Sequence, residues 1–161
     1  MNKILIFTAT YNEVLNIDIL LDRINSVCQN ADILVVDDNS TDGTIKVLKD
    51  YEKKFENISL IIREKKLGLN TAHKIGYNYA IKNNYDYFIT LDADLSHDPK
   101  EILNIIKLLD LNSFVIGSRY VVGGKCEMPF PRLALSVLGN KLIKLISRIN
   151  CSEFTTSFRG F

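Results

Sequence analysis

Short runs of β-branched and aromatic residues alternate along this chain with longer segments whose apolar residues recur every three or four positions. That alternation admits little besides a mostly parallel α/β sheet with right-handed crossovers. Strands are expected at Lys3–Thr8, Ile33–Val36, Ile58–Ile62, Tyr87–Leu91 and Ser113–Gly117. Between Glu13 and Gln29, Val14, Ile17, Leu20, Leu21, Ile24 and Val27 fall at helical spacing with one buried face. Further helices are expected over Thr44–Phe55, Leu69–Asn83, a segment capped by Asp98 and opened by Pro99, and Arg132–Ile149. A polar tail closes the chain.

In parallel sheets, ligands bind beyond the carboxyl ends of the strands, where strand order reverses. The conspicuous polar residues stand at those ends: Thr10 to Glu13, Asp37 to Gly43, and Asp92 to Asp94. Asp92 and Asp94 are separated by one residue, so period-two alternation puts both on one side if the strand stays extended. Like charges at that spacing repel unless a cation lies between them. Carboxylate oxygens are the hard donors that Mg²⁺ or Mn²⁺ takes, commonly shared with phosphate. The blander reading is a pair of loop aspartates in water. Asp37, Asp38 and Asp42 are equally readable as helix-capping residues, and Glu13 as a first-turn acid. The run Arg63–Lys66 reads as a solvated surface, His73 as a partly exposed helix residue, and His97 as the neighbour of a helix cap.

The bulk properties bound the alternatives. At 161 residues the chain is long enough for one sizeable core. A net charge of +1 gives no pull toward nucleic acid. The three cysteines, Cys28, Cys126 and Cys151, are odd in number and lack zinc-site spacing, which points to a reducing, cytoplasmic setting. No apolar run reaches membrane-spanning length. Any membrane contact is therefore expected to be peripheral. On the last helix, Lys141, Lys144 and Arg148 lie along one face and Leu138, Leu142, Leu145, Ile146 and Ile149 along the other, which suits a membrane interface or an ordinary core-packing helix. Gly123–Gly124 marks a candidate lid loop.

Several segments together resemble the family 2 glycosyltransferases. They are Ala9-Thr10-Tyr11-Asn12-Glu13, Val36 to Thr44, Arg63 to Leu69, Asp92-Ala93-Asp94-Leu95-Ser96-His97-Asp98-Pro99, Gly117-Ser118-Arg119-Tyr120, and Thr156-Ser157-Phe158-Arg159. Within that family they are most similar to the polyprenol-phosphate (dolichyl-phosphate) mannosyl- or glucosyltransferases. The resemblance implies a GT-A fold, a Rossmann-like, mostly parallel sheet flanked by helices, over residues 1–161 as a single catalytic domain shorter at its C-terminus than its relatives. It implies that Tyr11, Glu13, Val36 and Asp38 hold the base and ribose of a nucleotide-diphosphate sugar such as GDP-mannose or UDP-glucose. Asp92, the Ala93 carbonyl, Asp94 and Ser96 would surround Mg²⁺ or Mn²⁺ and the donor diphosphate. Arg119 and Arg132 would face phosphates of donor or polyprenyl phosphate acceptor, with Asp94 and the two arginines as the catalytic set. The chain departs from the family at Ala9, where a proline is usual, and at Glu153 and Thr156, where Asp and Gly are usual. Two other readings remain at this stage: transfer to a sugar hydroxyl in surface polysaccharide synthesis, with Glu153 the only late candidate base, and a non-catalytic nucleotide-sugar binding module.

Overall fold

A computed structural model describes residues 2–121, 124, 129–149 and 151–161, without the Arg132 side chain. The contacts divide the chain into two compact units, residues 1–115 with 158–161, and residues 116–157.

In the first unit, β1 (Ile4–Thr10), β2 (Asp32–Asp37), β3 (Ile58–Ile62) and β4 (Tyr87–Thr90) alternate with α1 (Ile17–Val27), α2 (Thr44–Lys54) and α3 (Leu69–Lys82). A short 3-10 turn, Pro99–Glu101, leads into α4 (Ile102–Leu109). Two-residue strands β5 (Val115–Ile116) and β6 (Arg159–Gly160) complete a sheet of order β3-β2-β1-β4-β6-β5. β1 pairs in parallel with β2 and β4, and β2 with β3. β6 runs antiparallel to β4, with Thr90 opposite Arg159. The chain steps outward from β1 through β2 to β3, then crosses to β4 on the other side of β1. The strand order therefore reverses between β1 and β4, and that is where the fold opens a ligand crevice.

Strand alternation sorts the core onto two faces. Ile6, Ile33, Val35 and Ile89 pack under α1, α2 and α4, against Leu20, Leu21, Ile24, Leu48, Ile102 and Ile105. Leu5, Phe7, Leu34, Val36 and Phe88 pack on the other face beside Ala72 and Ala80 of α3. Both faces are covered, which explains why β1 and β2 read as continuous apolar runs rather than alternating ones.

Three elements differ from the expectation. α1 begins at Ile17 rather than Glu13, because residues 11–16 form a loop in which Asn12 takes a left-handed φ of 60°. The polar tail contributes β6, a strand too short for any periodic signal. α5 (Phe130–Ser147) starts before Arg132 and ends at Arg148, which adopts a left-handed φ of 56°. The Gly123–Gly124 lid expectation falls on Gly123, outside the described residues.

Candidate active site

At the end of β2 the loop Asp37–Gly43 is held from within. Asp37, fully buried, accepts from the Thr10 hydroxyl at 2.7 Å, the Ser40 hydroxyl at 2.6 Å and the Ser40 amide at 2.8 Å. Its carboxylate thereby ties the end of β1 to the β2 loop. None of the three aspartates is the cap of α2, whose N-cap is Gly43 with no side-chain cap bond; Asp42, just before it, accepts from the amide and hydroxyl of Thr44 at 3.0 and 2.6 Å. Burial pushes the Asp42 carboxyl up, but the bonds from Thr44 and the Val14 amide outweigh it and hold it below the usual range. The β1 loop is stitched to the same scaffold, since the Asn12 amide donates to Ser40 Oγ and the Glu13 amide to Thr44 Oγ1.

On this frame Tyr11 stands partly exposed, with Lys66 Nζ 3.7 Å from its ring centroid. The Glu13 carboxylate accepts from the Asn16 side-chain amide at 2.8 Å. Val36 is wholly buried in the α3-side core, so its side chain packs rather than meeting a ligand. Asp38 is also buried, paired with the Arg63 guanidinium and accepting from the Gly68 amide at 3.1 Å. Arg63 is thus no part of a solvated surface. It lies 7% exposed, its amide donates to the Asp37 carbonyl and its Nη2 to the Gly68 carbonyl at 3.1 Å. Gly68, at φ +85°, is where that turn enters a backbone region closed to most side chains. Arg63 therefore joins the end of β2 to the start of α3.

Across the β1/β4 reversal lies the acidic pair. The Leu91 amide still donates to Phe7, one step beyond β4, and Ala93 is buried in the core, so only the Ala93 backbone is left for a ligand. The chain then turns, with Leu95 at φ 62°, so the extended geometry assumed for Asp92 and Asp94 ends there. Asp92 is about one-third exposed and Asp94 exposed. Ser96 does not stand apart as a third donor: its amide and hydroxyl bind the Asp94 carboxylate. Burial raises the Asp94 carboxyl, and the Ser96 bonds and nearby His97 more than reverse this, leaving an acid ionised well into the acidic range. Half-buried His73 on α3 faces the same region. Burial lowers its pKa, with Asp92 opposing and Arg159 adding to the shift.

The donor set suits Mg²⁺ or Mn²⁺. It consists of hard oxygens on an exposed, ionised carboxylate and its partner. Among the described residues, no three His, Cys, Asp or Glu side chains gather into a closed site. A two-carboxylate site leaves coordination positions for diphosphate and water, as these ions require.

In the second unit, the buried carboxylate of Glu153 takes the Arg119 amide and lies 2.9 Å from Arg119 Nε. The Tyr120 hydroxyl meets Ser136 of α5 at 2.8 Å, and buried Asn140 of α5 accepts from the Phe154 amide. These bonds join the Gly117–Tyr120 segment, the 152–154 segment and α5. Arg132 lies in the first turn of α5; the expectation for its side chain falls outside the described atoms. A cleft of about 230 Å³ is walled by Tyr120, Val137 and Asn140 and bordered by Lys141 and Lys144.

A family model described as glycosyl transferase family 2 matches residues 5–161. The chain is 30% identical to the polyprenol monophosphomannose synthase of Mycolicibacterium smegmatis, over 99% of this chain and 61% of that protein. It is 38% identical to a dolichol-phosphate mannosyltransferase of Pyrococcus furiosus, over 83% of this chain and 38% of that protein. The chain thus spans about three fifths or less of these relatives. Among solved structures, glucosyl-3-phosphoglycerate synthase from Mycobacterium tuberculosis, in complex with Mn²⁺, UDP and glucosyl-3-phosphoglycerate, superposes at a TM-score of 0.68 with 17% identity, covering 99% of this chain and 56% of that one. With its GT-A sheet and a family match running nearly end to end, the chain belongs to glycosyl transferase family 2.

Proposed function

We propose that the protein transfers a hexose from a nucleotide-diphosphate sugar to a polyprenyl phosphate, with inversion at the anomeric carbon. The observation that supports this reading is the meeting, at the strand-order reversal, of the stitched loops that follow β1 and β2 and the acidic pair Asp92 and Asp94. Tyr11 receives the base, on a rim that Asp38 braces through Arg63 and Gly68, Glu13 the ribose, and Asp92 and Asp94 the diphosphate through Mg²⁺ or Mn²⁺. The names of the mannosyl relatives support mannose rather than glucose as the transferred sugar, on GDP or UDP.

The chemistry asks little of a base. A phosphate monoester is already largely dianionic at neutral pH, its second pKa being about 6. Its oxygen forms the new bond to the anomeric carbon as the carbon–diphosphate bond breaks through an oxocarbenium-like state, and the nucleoside diphosphate leaves without a proton transfer. When bound, a divalent cation offsets the charge gathering on the leaving diphosphate. Asp92 and Asp94 hold that region in register. Arg119, oriented by Glu153, and Arg132 orient the incoming phosphate. Transfer to a sugar hydroxyl fits less well, because Glu153 is fully buried in an ion pair with Arg119 and is not placed to take a proton.

Membrane contact is part of this reading. No helix among the described residues is long and apolar enough to cross a bilayer. On α5, however, Leu135, Leu138, Leu142, Leu145 and Ile146 are 55–75% exposed, and Phe130 to Ile149 contains four cations and no acid. Such a surface suits the cytoplasmic membrane face where a polyprenyl phosphate resides. Calorimetric titration with GDP and UDP, each with and without Mn²⁺, tests the site. Metal-dependent binding that weakens at least tenfold in Asp94→Ala is expected. Equal binding by wild type and variant would overturn the assignment, and binding without transfer to undecaprenyl phosphate would leave only a nucleotide-sugar binding module.

A further inference from the structure

β4 stops at Thr90 and its pairing to β1 ends with the Leu91 amide. The Asp92 amide is thus the first backbone donor of this stretch past the sheet. It is partly buried, and a buried amide without an acceptor costs about 1–3 kcal/mol. His97 supplies the acceptor: its Nδ1 lies 3.1 Å from the Asp92 nitrogen. Accepting there fixes the neutral ring as the tautomer with its proton on Nε2. The same Nδ1 is 3.9 Å from Asp92 Oδ2, and the side chain is 11% exposed.

The ring is also held on its face. It stacks on Phe158, with centroids 5.0 Å apart and planes inclined by 16°. Phe158 is buried in the main core and immediately precedes β6, whose Arg159 sits opposite Thr90, the last residue of β4. One imidazole thus bridges the backbone that launches the acidic pair and an aromatic ring fixed by the neighbouring strand. Beyond it, Asp98 accepts from the Lys100 amide and Pro99 is buried, so the far end of the loop is anchored too.

We propose that His97 is the positioning residue of the acidic loop: by accepting the Asp92 amide while seated on Phe158, it sets the direction in which Asp92 and Asp94 leave the sheet. The inference rests on the reading of that pair as a metal and diphosphate site. It predicts distinct outcomes for two substitutions. His97→Asn keeps an acceptor near the Asp92 amide; His97→Phe keeps the stacked ring and removes the acceptor.

The test uses the full chain, with Mn²⁺ and GDP as probes. Manganese affinity is read by electron paramagnetic resonance, and the Asp92 amide by nitrogen-15 NMR with hydrogen exchange. His97→Phe should weaken Mn²⁺ binding by about 10–100-fold, the usual cost of losing a group that orients a metal ligand. It should also speed exchange at the Asp92 amide while leaving exchange in β1 and β2 unchanged. His97→Asn should recover most of both, and Phe158→Leu should fall between. Wild-type Mn²⁺ binding that His97→Phe leaves intact overturns the inference alone. A wild-type chain that binds no Mn²⁺ overturns the metal reading and this inference with it. An Asp92 amide that exchanges equally in all the proteins overturns the contact itself, whatever the metal does.

Discussion

The guanidinium of Arg63 is enclosed by Asp38, the Gly68 carbonyl and Thr71, with almost none of it in water. Removing one member of such a pair strands the other charge in a poorly solvated place, at a cost of about 3–5 kcal/mol. Arg63→Met should lower the stability measured by urea unfolding by that amount and weaken nucleotide binding, because Asp38 loses its anchor. Arg63→Lys should lose less stability while still loosening Gly68, since an ammonium does not reproduce the guanidinium fork. His73 gives a pH prediction. Its folded pKa lies below the ordinary 6.5 because burial disfavours the charged ring. The neutral ring therefore contributes stability that is fully present above pH 6.5 and lost as pH falls through the lowered folded value. Thermal melts from pH 7.5 to 5 should show an acid-side loss that His73→Phe reduces. Asp92 and Asp94 were legible in the sequence because a strand pattern ended on them. Arg63 was not, since a cation among Glu64, Lys65 and Lys66 reads as one more solvated charge until the fold brings Asp38 to it.

At the scale of elements, α3 lies close against the sheet because Gly76 carries no side chain. A Cβ there would fall 2.7 Å from the ring of Phe7, which is itself fully buried between strands and helix. Gly76→Ala should thus destabilise the fold by about 1–3 kcal/mol, measured by chemical unfolding, although alanine is the better helix former. The alternation of strands and helices from β1 to α4 was readable because each element repeats its period several times. β5 lies within the strand expected at Ser113–Gly117, with only two residues paired, whereas β6 was missed, since no period can be read from its two residues. The start of α1 was misplaced for a different reason: Val14 keeps the helical spacing, yet the Asn12, Glu13 and Val14 amides are committed to Ser40, Thr44 and Asp42 across the loop. Tertiary bonds outweighed local propensity there.

For the molecule as a whole, the exposed apolar stripe of α5 is the feature with most bearing on where it works. An anionic surface contributes about 1 kcal/mol for each nearby cation. Lys141, Lys144 and Arg148 together should thus favour anionic over zwitterionic phospholipid vesicles by roughly a hundredfold at low salt. Co-sedimentation checks this, and Leu138→Glu with Leu145→Glu should abolish binding to both. The sequence showed the two-faced character of α5; it left open whether the apolar side is packed away, and the structure answers with those leucines in solvent.

The antiparallel pairing of Thr90 with Arg159 carries a consequence for biogenesis. On the ribosome, the segment that will back His97 is synthesised well after the loop it steadies. A nascent chain that does not yet include residue 158 lacks the ring against which His97 stacks, so the acidic turn should settle only once that segment joins the sheet.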